Sequence, residues 1–323
     1  MDLSKDTQLG LYYQMLRSRR LDERAWALHR QGKIVFHISA IGHEAAQAGA
    51  AFALRRGHDW IAPYYRDLTL LLCLGMTPRE FALGMFARND DPTSRGRQMP
   101  SHWSWREAHV VSTSSPVATQ VPHAAGIALG IKLRGEDAVV LTCLGEGSTS
   151  QGEWYEGMNW AGVHRLPLIC LVENNTYAIS VPQNLQMAVP DVADRAAAFG
   201  MAGAVVDGND VRAVYHTMSE AVARARRGDG PTLVEAKVYR PLPHSSDDDD
   251  RSYRSREEVE AWKMRDPIPV FRQRLEAEGI LAAGQADEMD ERALAEVEDA
   301  VQYAEAAPNP PLESAAGPVY ADA

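Results

Sequence analysis

Residues 138–180 read AVVLTCLGEGSTSQGEWYEGMNWAGVHRLPLICLVENNTYAIS. Two apolar, β-rich runs, 138–144 and 167–172, flank a helical segment. The first run ends in Gly145-Glu146-Gly147 and the second in Glu173-Asn174-Asn175. A glycine-rich turn between strand and helix suits a phosphate group on the helix N-terminus. A dinucleotide fingerprint fits poorly, because position 150 is Ser and Glu146 would set a carboxylate beside a pyrophosphate. A cation between them removes the conflict. In a right-handed βαβ unit, Glu146 and Asn175 both lie beyond the carboxyl ends of parallel strands. A carboxylate, an amide oxygen and a carbonyl are hard ligands that suit Mg²⁺, with the remaining positions taken from phosphate and water.

Working outward, residues 138–239 alternate strand and helix: a helix at 192–199, a strand at 203–206, a helix at 211–226 and a strand at 231–239. That pattern predicts an α/β fold, a parallel sheet with helices on both faces. Upstream, 6–31 reads as a helix and 42–56 as an Ala-rich, close-packing one. His37 and His43, on either side of Gly42, read as structural polar groups. A strand or turn at 59–64 runs into a helix near Arg66, placing Tyr64, Tyr65 and Arg66 at a helix N-terminus. Thr77-Pro78-Arg79-Glu80 reads as a helix start. Residues 88–118 form a long loop whose Met99, His102, Trp103 and Trp105 suit an ordered active-site loop. A helix over 119–134 follows it. Past the last strand, RPLPHSSDDDDRSYRSREE reads largely as a solvated acidic loop, 255–306 as three helices, and the Pro/Ala-rich tail from 306 as flexible.

Composition bounds the function. The chain has 323 residues, 45% hydrophobic and 24% charged, enough for a large core. A net charge of −11 argues against nucleic-acid binding. No run of 18 apolar residues points to a membrane span, and MDLSKDTQLG resembles neither a signal nor a transit peptide, so a cytoplasmic location is expected. Cys73, Cys143 and Cys170, without CxxC spacing, read as reduced core thiols.

The segment GEGSTSQGEWYEGMNWAG…ENNTYAIS resembles the thiamine diphosphate motif, Gly-Asp/Glu-Gly followed some way on by Asn-Asn. IGHEAAQAG, YYRD, GRQMPSHW, SSPVATQVPHAAGIA, VDGNDVRAVY and HSSDDDDRSYRS extend the resemblance over about residues 9–275. They are similar to the alpha subunit of the decarboxylating component of 2-oxo acid dehydrogenase complexes, and GRQMPSHW and SSPVATQ to its branched-chain members. The resemblance implies a thiamine diphosphate-binding fold over 1–275, with helical N- and C-terminal extensions, and a C-terminal helix and flexible tail over 276–323.

It also implies residue roles. Glu146, Asn175 and the Tyr177 carbonyl would ligate Mg²⁺. Ser114, Thr119, Gln120 and the Pro116 carbonyl would hold a structural K⁺. Tyr64, Tyr65, Arg66, Ser115, Pro116, Val117, Gly145, Gly147, Ser148, Thr149, Ala178, Ile179, Arg240 and His244 would bind or line the cofactor. Phe36, Tyr65, Met99, Pro100, Ser101, His102 and Ser115 would line a substrate pocket suited to a small branched acid. His244 and Ser115 would act in catalysis, with Arg240 bracing the His244 loop. Residues 240–254 would be mobile without the cofactor.

The implied activity is decarboxylation of a branched 2-oxo acid, such as 3-methyl-2-oxobutanoate, and transfer of the acyl group to a lipoyl arm on the acyltransferase component. The carboxylate that serves the cofactor's pyrimidine ring belongs to the beta subunit in this family. No candidate for it occurs here, so an α₂β₂ heterotetramer is implied. Two departures stand out. Glu173 occupies a place where some relatives carry an arginine facing the diphosphate, and Ser245 occupies the place phosphorylated in animal relatives. A pyruvate or acetoin dehydrogenase alpha subunit remains the alternative. More distant readings are a nicotinamide dehydrogenase with Glu173 on the ribose, and a non-enzymatic binding module.

Overall fold

The computed structural model describes residues 3–113 and 115–317. Five parallel strands form the central sheet: β1 (Trp60–Ala62), β2 (Val140–Gly145), β3 (Leu168–Asn174), β6 (Ala202–Asp207) and β7 (Thr232–Lys237), in the order β1-β2-β3-β7-β6. A two-stranded antiparallel hairpin, β4 (Tyr177–Ala178) and β5 (Val181–Pro182), follows β3 and was not foreseen from sequence.

Alternation along the strands sorts the core into two layers. Leu141, Cys143, Ile169, Leu171, Val234 and Ala236 point to one face. There they meet α1 (Lys5–Arg30), α2 (Glu44–Phe52), α3 (Leu68–Cys73), α4 (Pro78–Met85), α8 (Val211–Arg226) and α11 (Gln285–Ala306). Val140, Leu144, Leu168, Cys170, Val172 and Leu233 point to the other, against α5 (Gln120–Arg134), α6 (Gly152–Val163) and the 3₁₀ turn Val192–Phe199. A short helix, α7 (Gln183–Gln186), follows the hairpin. Helices on both faces account for the continuous apolar runs in β2 and β3.

Local signals in the sequence set the helix ends. Ser4 caps α1 by accepting from Thr7 N, and Thr77 and Glu80 form a complete capping box at α4. Asp210 caps α8 through Arg212 N and Ala213 N. Residues 255–306 carry the three expected helices: α9 (Arg256–Lys263), α10 (Pro267–Ala277) and α11.

Three expectations are corrected. The boundary placed at 275/276 falls inside α10, whose Leu275 is buried with Leu11 and Tyr12 of α1. The tail is held as far as it is described: Pro308 O accepts from Asn89 N at 3.0 Å and Ser314 O from Arg97 Nη2 at 3.0 Å. Residues 318–323 lie outside the described residues. The acid run is half structural, since Asp250 is buried in an ion pair with Arg254 and Asp248 accepts from His244 N and the Tyr253 hydroxyl. Because Arg254 also donates to the carbonyls of Arg240 and Leu242, the loop over 240–254 is cross-tied within itself. Among the described residues no helix is long and apolar enough to cross a membrane.

Gly42 turns the chain into α2. Its φ is +93°, and a Cβ there would lie 2.0 Å from the Tyr239 carbonyl oxygen. Left-handed backbone costs a residue with a Cβ about 1–2 kcal/mol, and the clash is with main chain, which yields little. Gly42→Ala is expected to destabilise the chain by about 3 kcal/mol or more. An unchanged urea unfolding midpoint would contradict this.

Candidate active site

The parallel register sets Gly145 beside Glu173, so the chain beyond β2 and the chain beyond β3 emerge next to one another. Glu146 is the first residue past β2, and Asn175 the first past β3. Asn175 N donates to Glu146 Oε2 at 3.1 Å. Both side chains are buried. Here a cavity of about 410 Å³ opens, lined by residues from the YYRD, GRQMPSHW, SSPVATQ, Gly-Glu-Gly and Asn-Asn segments and by His244.

From the expected cofactor and metal set, Tyr64, Tyr65, Arg66, Ser115, Val117, Gly145, Glu146, Gly147, Ser148, Asn175, Tyr177, Ala178, Ile179 and His244 line it. From the expected substrate set, Phe36, Met99 and His102 join Tyr65 and Ser115. Gly147 is needed because a Cβ there would lie 2.6 Å from that of Ala178. His102 Nε2 and the Ser115 hydroxyl are 2.6 Å apart. The long loop over 88–118 thus enters the cavity twice, at its middle through Met99 and His102 and near its end through Ser115 and Val117.

Other assignments move. Thr149 does not line the cavity; its hydroxyl donates to the Glu146 carbonyl at 2.6 Å and so stabilises the turn. That turn, Glu146–Ser150, is 3₁₀, and α6 begins only at Gly152, so the turn and not the helix end faces the cavity. Pro100 and Ser101 sit in a crevice with Phe81 and Met85 of α4. Ser101 has a φ of 66°, which reverses the chain so that Met99 and His102 face the cavity and these two do not. Tyr64, Tyr65 and Arg66 precede α3, whose N-cap is Asp67, so an acid occupies the helix start and the cationic group there is the Arg66 guanidinium.

Pro116 lies outside the lining; its carbonyl accepts from the Thr119 hydroxyl at 3.0 Å. Gln120 spends its amide nitrogen on the Cys143 carbonyl at 2.8 Å. Ser114 lies outside the described residues. Arg240 is buried behind the cavity, where Nη2 donates to the Ile179 carbonyl at 2.9 Å and meets the Tyr253 hydroxyl.

Unpaired charge concentrates at this place. Glu146 Oε1, Arg66 Nε, and Arg240 Nε and Nη1 are buried without a hydrogen-bond partner among the described residues. Burial raises the Glu146 carboxyl from 4.5 to about 7. Burial, reinforced by Arg66, lowers Arg240 to about 10. Burial and the two guanidiniums lower His244 to about 3, which leaves a neutral imidazole, edge-on to Tyr65 at 6.0 Å. A carboxylate oxygen waiting for a cation faces guanidinium N–H groups waiting for an anion. A divalent ion with a diphosphate would satisfy both.

Sequence reasoning missed four participants. Ile38 lines the cavity beside Phe36, and the alternation of Phe36 and Ile38 with buried His37 and Ser39 was the signal for it. His43, Gln47 and Asp67 surround Glu173 on the α2 face of the sheet. Glu173 therefore points away from the cavity, which removes the ribose-binding alternative. The His43/Gln47 spacing of four residues, one helical turn, was the available clue. His37, as expected, is structural: buried, with Nε2 at 2.8 Å from Asp22 Oδ1.

The raised Glu146 carboxyl fixes a sign. A folded-state pKa above the unfolded one contributes stability below pH 4.5 that is lost as pH rises through about 7. In metal-free protein at pH 8, Glu146 therefore costs on the order of 3 kcal/mol. Glu146→Gln is expected to melt higher than the native protein at pH 8 in a chelator, with the gap closing toward pH 5. A gap independent of pH in thermal melts would contradict this.

The sequence matches the family described as dehydrogenase E1 component over residues 12–313. It is 48% identical to the 2-oxoisovalerate dehydrogenase subunit alpha of Bacillus subtilis, over 99% of this chain and 97% of the relative. It is 40% identical to a 3-methyl-2-oxobutanoate dehydrogenase subunit alpha of Mycobacterium tuberculosis, over 93% and 80%. Against the pyruvate dehydrogenase E1 component subunit alpha of Bacillus subtilis the identity is 38%, over 95% and 80%. Full-length similarity at this level, with the cavity built from the motif residues, places the chain in the dehydrogenase E1 component family.

Proposed function

We propose that this chain is the alpha subunit of a branched-chain 2-oxo acid dehydrogenase E1 component, acting on acids such as 3-methyl-2-oxobutanoate. The observation that carries this reading is the set of buried, unpartnered groups of opposite charge around one cavity, Glu146 against Arg66 and Arg240. They fit Mg²⁺ and the diphosphate of thiamine diphosphate. Glu146, Asn175 and the Tyr177 carbonyl would hold the ion, and Arg66, Gly147 and Ser148 the diphosphate. The Pro116 carbonyl, Thr119 and Gln120 would hold K⁺.

Bound thiamine diphosphate supplies the electron sink that lets the carboxylate of a 2-oxo acid leave as CO₂. The chain's own residues do the rest. Phe36, Ile38 and Met99 offer an apolar wall for a branched side chain, while the His102–Ser115 pair offers polar atoms for the acid. His244, neutral and beside Tyr65, offers the cavity a ring nitrogen that can accept a hydrogen bond. Among the described residues Glu146 is the lone carboxylate on the cavity wall, and it would be taken up by the cation. That agrees with the family resemblance, in which a beta subunit supplies the carboxylate for the pyrimidine ring within an α₂β₂ assembly serving a lipoyl-bearing acyltransferase.

Coexpression with a beta subunit, followed by a 2-oxo acid panel with thiamine diphosphate and Mg²⁺, tests this. Branched acids are expected to exceed pyruvate in kcat/KM by about 10-fold or more, the scale on which an apolar pocket discriminates by a few methylenes. Turnover of pyruvate with none of branched acids would overturn the substrate assignment. In the same assembly, His244→Asn is expected to lower reductive acylation by about 100-fold or more while leaving Mg²⁺ affinity in place. Full activity in that variant would remove His244 from the mechanism.

A further inference from the structure

The acid at position 173 leads to a role for His43. A cation at Glu146 needs the oxygen of Asn175, and an asparagine presents either its oxygen or its NH₂ according to how its amide is turned. Two neighbours set that turn. Tyr177 N, which can only donate, lies 3.3 Å from Asn175 Oδ1. On the other side, Asn175 Nδ2 lies 3.5 Å from His43 Nε2. This is the outer limit of a hydrogen bond. It orients the amide only if Nε2 carries no hydrogen.

Glu173 decides which ring nitrogen carries it. Glu173 Oε2 is 2.6 Å from His43 Nδ1, and both side chains are without solvent exposure. A carboxylate at that distance requires a hydrogen on Nδ1. The carboxylate is itself held in place: Gln47 Nε2 donates to it at 2.9 Å and the Tyr64 hydroxyl at 3.3 Å. These are the contacts an ionised carboxylate accepts, all of them on Glu173 Oε2. A single hydrogen on Nδ1 then meets both contacts of the His43 ring, a donor toward Glu173 and a bare Nε2 toward the Asn175 NH₂.

We propose that His43, fixed in its Nδ1–H tautomer by Glu173, is the positioning residue that turns the Asn175 oxygen toward the cation. The proposal rests on the reading of Glu146 and Asn175 as cation ligands. Carboxylate–histidine pairs commonly orient metal sites through a ligand histidine. Here the pair acts one residue further out, through an asparagine.

Two replacements separate this role from packing. A glutamine amide reaches the place of the imidazole Nε2, whereas an asparagine amide reaches only that of Nδ1. The full chain copurified with beta subunit, saturated with thiamine diphosphate, is titrated with Mn²⁺ and read by electron paramagnetic resonance. His43→Asn is expected to weaken Mn²⁺ binding by about 10–100-fold and His43→Gln by no more than about threefold, with similar melting temperatures. Equal loss in both variants, or no loss in either, overturns the proposal. Should His43→Asn fail to fold, Glu173→Gln carries the comparison: the same loss is expected, and unchanged affinity overturns it. Native assembly that binds no Mn²⁺ would overturn the cation reading itself. Loss of binding in Glu146→Gln with none in His43→Asn would overturn only the role of His43.

Discussion

The in-register pairing of β2 with β3 is the constraint on which the site depends. It brings Glu146 and Asn175, 29 residues apart in the chain, close enough for the Asn175 amide to donate to the Glu146 carboxylate. A slip of β3 by one residue against β2 would turn its side chains to the opposite faces and part Asn175 from Glu146. The register is in turn secured by the sheet's two covered faces, because a slip would exchange every side chain between the α2/α8 layer and the α5/α6 layer. The cavity is thus a consequence of core packing and not a separate feature added to it.

Charge is arranged around that junction in two tiers. Toward the cavity, Glu146 faces Arg66 and Arg240, and each retains buried polar atoms without a partner among the described residues. Such groups are costly unless a ligand completes them. Behind them, one oxygen of Glu173, Oε2, receives hydrogen bonds from His43, Gln47 and Tyr64, while Glu173 Oε1 and Asp67 Oδ1 have no partner among the described residues. Glu146 lies just past the end of β2 and Glu173 just before the end of β3, neighbouring strands of the sheet.

Much of this was legible in the sequence. The strands and the capped helices follow from alternation and turn residues, and the cavity wall from the family resemblance carried by Gly-Glu-Gly, Asn-Asn and the motifs around them. What escaped was set by neighbours distant in sequence. The hairpin Tyr177–Pro182 includes a left-handed Ile179 without a glycine to announce it. Thr149, Pro100 and Ser101 lie beside true wall residues, and only the local backbone path decides which of them face in. The acid run looked solvated because Asp248 and Asp250 find their partners, Tyr253 and Arg254, just past its end. Glu173 looked anomalous because its partners are on α2, 126–130 residues away.

That inner tier also bears on how such a site can drift over generations. Loss of Glu173 alone strands a buried histidine, and loss of His43 alone strands a buried carboxylate; removing one partner of a buried pair is strongly destabilising. Single steps away from this arrangement therefore carry a stability cost, and a change at one of the two positions favours a compensating change at the other.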